Sequence, residues 1–592
     1  MITLDEYQLA AATAPEPRVL VTAVPGSGKT RTLCARVEYL IKQKVRPSSI
    51  CVVTFTRYAA NELRERLVPL IGSDAGRIFI GTFHAFALRI ITGYGHRLGW
   101  DAEYLTILDE EETSLEEAEV MRDLGMVDKS GKWNFKAGRV IWDQFKRHKI
   151  TTHHIKTADP ELIALCMTAS ISIKNRLRAE NTLTYDMIIE EADTLLKDSP
   201  EILNDMRELC AHVLVDEFQD TDSAQMAIID RIDPPNRYFV GDIDQSIYGF
   251  RGAMPRIMLD YSETAKCYSL PNSYRFGVTI GDPANKLIKH NSDRLDTAIN
   301  AIAENRGTVN VVKNSRFEAI ADLILAQLHD GYAPDNICIL ARRHSTLEAL
   351  QEVMASREYP FLKIGGQTAI DKTAEFRVCR GYLRAAVNPC DKRALMAIST
   401  VEGISESALI DLRAQAAESD KPIMALYAKK DMPDTVETLR PYLQAAAPDV
   451  DWTPSLQYLD RIQKAENFKD TGELVRYLGI SDQQDNMRES AGKVTLCTIH
   501  AAKGLEWPVV FLIGMNSAQF PSPRSRRDGE LTEERKLCYV GMTRAEEILY
   551  LVNNMPDTPK DEASQFFEEM GFNTPDPEGQ QDFWDGDNLE GV

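Results

Sequence analysis

A chain of 592 residues exceeds what one compact core accommodates and should divide into roughly three to five domains. With 44% hydrophobic and 27% charged residues, no apolar run of about eighteen and no charged-then-apolar leader at Met1, a cytoplasmic protein is expected and a membrane protein is not. The net charge of −21 argues against coating nucleic acid by bulk positive charge, so any such site must be a local groove. Ten scattered cysteines without a CxxC pair argue against structural zinc, an iron–sulfur cluster and a disulfide framework.

The first informative stretch in chain order is "RVLVTAVPGSGKTRTL". An apolar, β-rich run precedes a glycine loop, and Leu33, Val37, Leu40 and Ile41 then recur at helical spacing. Strand, glycine loop and helix present backbone N–H groups and a helix N-terminus to phosphate. Pro25, Gly26, Ser27, Gly28, Lys29, Thr30 and Arg31 are therefore expected to cradle a nucleotide, although Ala23 stands where the usual first glycine falls. Lys29 would reach the β- and γ-phosphates and Thr30 would hold Mg²⁺. Further on, "HVLVDEFQDT" reads as a strand carrying Asp216 and Glu217 at its carboxyl end, where α/β sheets present ligands. Asp216 fits a Mg²⁺ partner, and Glu217 fits the base that orients and deprotonates the attacking water. The runs "VLVTA", "ICVVTF", "HVLVDE" and "YFVGD" predict one parallel sheet, and "VTLCTI", "VVFLIG" and "ILYLV" predict a second.

Seven further strings occur in order: "TFTRYAANELRERL", "GTFHAF", "VDEFQDTDSAQ", "VGDIDQSIYGFRGA", "LPNSYRF", "VTLCTIHAAKGLEWPVVFLIG" and "EERKLCYVGMTRAEEILYL". Together they resemble the superfamily 1 DNA helicases of the UvrD/Rep/PcrA type, from about Leu4 to Phe567. The resemblance implies two RecA-like motor domains with mainly helical insertions, ATP and Mg²⁺ as cofactors, and 3′→5′ movement on single-stranded DNA with unwinding of partial duplexes. It implies that Arg275 and Arg544 are arginine fingers in trans and that Gln245 senses the γ-phosphate. Gln8 would read the adenine edge, Tyr274 would pack on the ring, and Glu506 would bind the ribose. By the same resemblance Phe55, Thr82, Phe83, His84, Tyr248, Phe250, Arg251 and His500 line the DNA track, where stacking on aromatic faces contributes roughly 1–3 kcal/mol per base. Phe250 stands where tryptophan is frequent. Phe86 is read as core.

The gaps between motifs suggest the domain plan: a first motor domain at 1–88 and 185–275 with a helical insertion at 89–184, and a second at 276–388 and 493–567 with a shortened insertion at 389–492. "FKRHKITTHH" (Phe145 to His154) is either a DNA backbone contact or a solvated helix end, and its histidines lack the partners of a metal site. The segment from Leu551 to Phe567 leaves little room for a strand-separating hairpin, so translocation is expected to outperform unwinding. The acidic stretch 568–592 is expected to be disordered, with Phe583 and Trp584 as a candidate bait for a protein partner. The short distance from the last motif to Val592 disfavours a nuclease domain. The alternative from another class is a DNA-stimulated ATPase that binds forks as a switch or loading factor without unwinding.

Overall fold

The computed structural model describes residues 3–136, 138–146, 159–295, 297–303, 307–357, 359–364, 370, 373–419, 421–427, 432–465, 468–480, 492–554, 563–572 and 582–584. The chain divides into two compact units, one of Met1–Phe83, Leu203–Gly366 and Asp482–Val592, the other of His84–Ile202 and Gln367–Ser481.

The first unit holds two large sheets and a short parallel pair, Asn272–Ser273 with Asn300–Ala301. β1 (Arg18–Ala23), β2 (Ile50–Thr54), β3 (Phe79–Thr82), β4 (His212–Val215), β5 (Asn236–Gly241) and β6 (Lys266–Leu270) form one, in the order β3-β2-β4-β5-β1-β6. Every neighbouring pair is parallel. Strands such as Ile-Cys-Val-Val-Thr are buried along their length because both sheet faces are covered, which is why they read as continuous apolar runs. Val19, Val21, Leu33, Val37, Leu63 and Leu214 share one core.

The second sheet comprises β7 (Thr308–Ser315), β8 (Ile337–Ala341), β9 (Phe361–Ile364), β10 (Val494–Thr498), β11 (Trp507–Ile513), β12 (Ala545–Asn554) and β13 (Asp582–Trp584), in the order β9-β10-β8-β11-β12-β7-β13. Its first six strands are parallel. Alternation along β8 sends Cys338 and Leu340 into one core and Ile337, Ile339 and Ala341 into the other, the period of two of a strand between two helical layers. The expected pair of parallel-sheet α/β domains of RecA type is present.

The C-terminal stretch differs from the expectation of disorder over 568–592. Met570 and Phe572 are buried in the second sheet's core, and Asp582–Trp584 pairs antiparallel with β7. Edge pairing runs through backbone groups and needs no apolar pattern, so composition gave no sign of it. Residues 147–158, which carry most of the basic segment, and 555–562, where a hairpin was thought to lack room, lie outside the described residues.

The second unit is helical and draws on both insertions. It includes Tyr185–Asp198 and Ala374–Val387, which the sequence-based plan assigns to the motor domains. Side-chain pairing explains their place. Glu191 accepts hydrogen bonds from Trp100 Nε1 at 2.9 Å and Arg178 at 2.8 Å. Arg384, 1% exposed, donates to both oxygens of Glu112 at 2.6 and 2.7 Å and to both of Asp391. Glu116, 0% exposed, receives Lys392 at 2.7 Å and Arg393 at 2.7 and 3.1 Å. Burial raises Glu112, but Arg380 and Arg384 outweigh it and hold the carboxyl down at about 2. Beside this network, Phe376, Tyr382, Leu395, Leu439, Trp452 and Leu459 make an apolar core.

Candidate nucleotide and nucleic-acid site

The loop after β1 turns through two glycines in the left-handed region, Gly26 at φ 73° and Gly28 at φ 78°. A Cβ on Gly26 would lie 2.5 Å from Arg275 Cβ, so that position admits no side chain, and at Gly28 the left-handed backbone disfavours one. Helix Lys29–Lys42 follows with no side chain capping its N-terminus, which leaves first-turn N–H groups for a ligand. Ser27 Oγ and Ser273 Oγ are buried without hydrogen-bond partners. Pro25 and Ser27 are buried, while Arg31 on the first helical turn is exposed. These features fit a polyphosphate.

Beyond β4, Asp216 and Glu217 face this loop. Asp216 N–H continues the sheet by donating to Val53 O at 2.8 Å, and Glu217 sits at φ 52°, a left-handed conformation sparsely used by residues with side chains. Glu217 is 3.8 Å from Lys29 Nζ and accepts from Gln219 Nε2. Burial and the adjoining Glu217 push Asp216 up. Glu217 is held well below the usual carboxylate range, because Lys29 and Lys503 overcome its burial. Two adjacent buried carboxyls ionise together only beside concentrated positive charge, and Asp216 and Thr30 line the same cleft. One carboxylate and one hydroxyl are a typical protein share of a Mg²⁺ shell completed by phosphate and water, and no cluster of three or more His, Cys, Asp or Glu suited to a metal occurs among the described residues.

The second sheet supplies the opposite wall. Arg544 donates to Gln245 Oε1 at 3.1 Å and Leu505 O at 3.0 Å. Burial and neighbouring Arg275 push it down to about 9. Arg275 pairs with Glu506 and donates to Thr543 O at 2.8 Å, while its Nε is buried without a partner. Gln245 donates to Asp242 Oδ2 at 2.6 Å. At the outer end, Gln8 Nε2 donates to Ser27 O at 2.9 Å, and the Tyr274 hydroxyl and Asn272 meet Asp5 Oδ2. Tyr274 is exposed beside them, as a face for a planar base requires.

An aromatic group lies next to the cleft. Phe55 stacks on Tyr248 with centroids 4.9 Å apart and planes 14° apart. Phe250 stands edge-on to His500 at 5.2 Å and 6.1 Å from Tyr248, whose hydroxyl donates to His500 O at 3.1 Å. Phe250 is 52% exposed, whereas Thr82, Phe83 and Tyr248 are 6%, 5% and 4% exposed. Phe83 opens helix Phe83–Tyr94 with its ring in the core, like Phe86. His84 belongs to the helical unit and stacks on Tyr185 at 3.6 Å. The Arg251 side chain lies outside the described residues.

Sequence reasoning missed a layer of polar residues. Lys503 contacts Asp220, and Arg294 grips both oxygens of Asp244 at 2.7–3.0 Å. Gln219 Oε1 accepts the Asp242 N–H at 2.9 Å. Lys503, Asp220, Gln219, Asp242 and Asp244 all stand inside the motif strings, and only that position signalled them.

The family described as UvrD/REP helicase N-terminal domain matches residues 4–266, and the UvrD-like helicase C-terminal domain matches 268–419 and 452–555. The chain is 27% identical over 610 residues to an ATP-dependent DNA helicase PcrA of Staphylococcus epidermidis, covering 93% of this chain and 83% of the relative. It is 27% identical over 611 residues to the protein of the same name in Staphylococcus aureus, with the same coverage.

Proposed function

The chain belongs to the UvrD/Rep helicase family, and from that premise we propose that it is an ATP- and Mg²⁺-dependent motor that moves 3′→5′ along single-stranded DNA and separates partial duplexes. The observation that carries this reading is the convergence of both sheets on one cleft that abuts an aromatic cluster: Lys29, Asp216 and Glu217 from the first, Arg544 from the second, Arg275 between the glycine loop and Thr543 O, and Phe55, Tyr248, Phe250 and His500 alongside.

In this reading Lys29, Ser27 and the first-turn N–H groups would hold the triphosphate, and Thr30 and Asp216 would hold Mg²⁺, which would supply positive charge against the phosphate. Glu217, ionised and fixed by Gln219, orients water and takes its proton. Arg275 and Arg544 bring positive charge toward the terminal phosphate. Gln8 and Tyr274 select adenine. The domain plan given above, with Tyr185–Asp198 and Ala374–Val387 moved to the helical unit, forms part of the same proposal. Among the described residues no helix is long and apolar enough to cross a membrane.

The test is ATP hydrolysis and strand displacement on partial duplexes bearing either a 3′ or a 5′ single-stranded tail. Hydrolysis stimulated by DNA together with displacement from the 3′-tailed substrate is expected. Displacement only from the 5′-tailed substrate would refute the polarity, and stimulated hydrolysis with no displacement from either would favour a DNA-dependent switch.

A further inference from the structure

Lys503 follows β10 on the second sheet's side of the cleft and is 6% exposed. Its ammonium donates to Asp220 and, at 2.6 Å, to Gln245 O, both belonging to the first sheet's half, and lies 4.9 Å from the centroid of the Tyr248 ring. The three donors of a desolvated ammonium are thus shared among a carboxylate, a carbonyl and an aromatic face.

The two sides of this ammonium lead to different places. Asp220 Oδ2 is 3.4 Å from Gln219 Nε2, and the same nitrogen donates to Glu217, so the carboxylate assigned to water activation is three contacts from Lys503. Tyr248 stacks on Phe55 and adjoins Phe250 and His500, so the face assigned to DNA bases is one contact away. A lysine suits this position better than an arginine, because a point charge on a flexible stem can follow a ring that shifts by a fraction of its width.

We propose that Lys503 is a positioning residue that couples occupancy of the aromatic track to the placement of Glu217. A base entering beside Tyr248 changes where that ring sits. The ammonium shared by the ring and Asp220 moves with it, and Asp220 and Gln219 carry the displacement to the Glu217 carboxylate. This coupling rests on the proposed function, since it requires hydrolysis stimulated by single-stranded DNA.

The experiment compares wild type, Lys503→Met, Asp220→Asn and the double variant in the full chain. Poly-dT oligonucleotide affinity, nucleotide affinity, and hydrolysis with and without saturating oligonucleotide are measured for each. Each single variant is expected to lose the stimulation ratio by a factor of about 5- to 150-fold, the usual size of coupling between two sites, while both affinities change far less. The double variant is expected to be no worse than the worse single, because both substitutions cut one chain of contacts. Asp220→Asn keeps side-chain size and serves as the independent reading if Lys503→Met fails to fold. Stimulation within twofold of wild type in both single variants would overturn the coupling. So would a loss that is reversed simply by adding more oligonucleotide, which would make Lys503 a direct DNA contact. Single losses that multiply in the double variant would also overturn it. A wild-type protein without any stimulation would instead overturn the proposed function, and the coupling with it.

Discussion

Removing the ring of Phe250 separates a binding role from a packing role, because the two make opposite demands on one side chain. Phe250 is 52% exposed and touches His500 edge-on at 5.2 Å. If it stacks one base, Phe250→Ala forfeits roughly 1–3 kcal/mol of binding, a rise in Kd of about 5- to 150-fold. A buried phenylalanine costs about 3–5 kcal/mol of stability on truncation, and a half-exposed one should cost well under that. Phe83→Ala, at a ring 5% exposed, supplies the contrasting case: a large stability loss. Fluorescence anisotropy with a labelled dT oligonucleotide, repeated at several salt concentrations, is the assay. The affinity should fall while the slope of log Kd against log salt stays that of wild type, since no phosphate contact is removed. An unchanged Kd together with a drop in unfolding midpoint as large as that of Phe83→Ala would refute the argument and make Phe250 a packing residue.

Glu217→Gln should retain nucleotide binding and lose turnover by about 10²–10⁴-fold in a phosphate-release assay, the usual contribution of a positioned general base. Arg275→Ala and Arg544→Ala should each slow hydrolysis, toward the about 10³–10⁵-fold range of arginine fingers, and rates within tenfold of wild type for both would place the terminal phosphate elsewhere. Glu180 gives a pH prediction. Burial, with Glu116 and Asp391 nearby, pushes it from 4.5 up to about 7 against the pull of Lys392. Its folded-state value lies above the ordinary one, so the folded form binds the proton more tightly: the stabilisation is complete below pH 4.5 and is lost as pH rises through 7. The loss is at most about 3 kcal/mol. Glu180→Gln should therefore raise the unfolding midpoint of the helical unit at pH 8 and leave it little changed near pH 4.5, as read by calorimetry. Equal effects at both values would show that Glu180 contributes through packing alone.

What was legible in the sequence is what local pattern encodes. Gly26 and Gly28 stand where only left-handed backbone fits, the apolar runs mark strands covered on both faces, and Asp216 and Glu217 end such a strand. The family resemblance added Arg275 and Arg544, which no local rule identifies. Illegible features depend on distant partners. "DEEETSLEEAE" has the look of a solvated face, yet Glu112 and Glu116 within it are buried against Arg384, Lys392 and Arg393, and nothing in its own periodicity reveals that. Phe83 and Phe250 are the same residue type in adjacent motif strings, and only packing separates the core ring from the exposed one. Lys503 stood in plain view between His500 and Glu506, but its meaning lies in Asp220, 283 residues away in sequence and brought to it only by the fold.

The charged seam of the helical unit also bears on how the chain is made. Arg380 meets Glu112 across 268 residues of sequence. At about 5–20 residues per second, a ribosome needs roughly 15–55 s to deliver the arginine after the glutamate has emerged. An apolar surface left uncovered for that time would invite association with other nascent chains. A row of glutamates remains hydrated and mutually repelling until its partners arrive. The seam thus holds the helical unit together only once its second half is present.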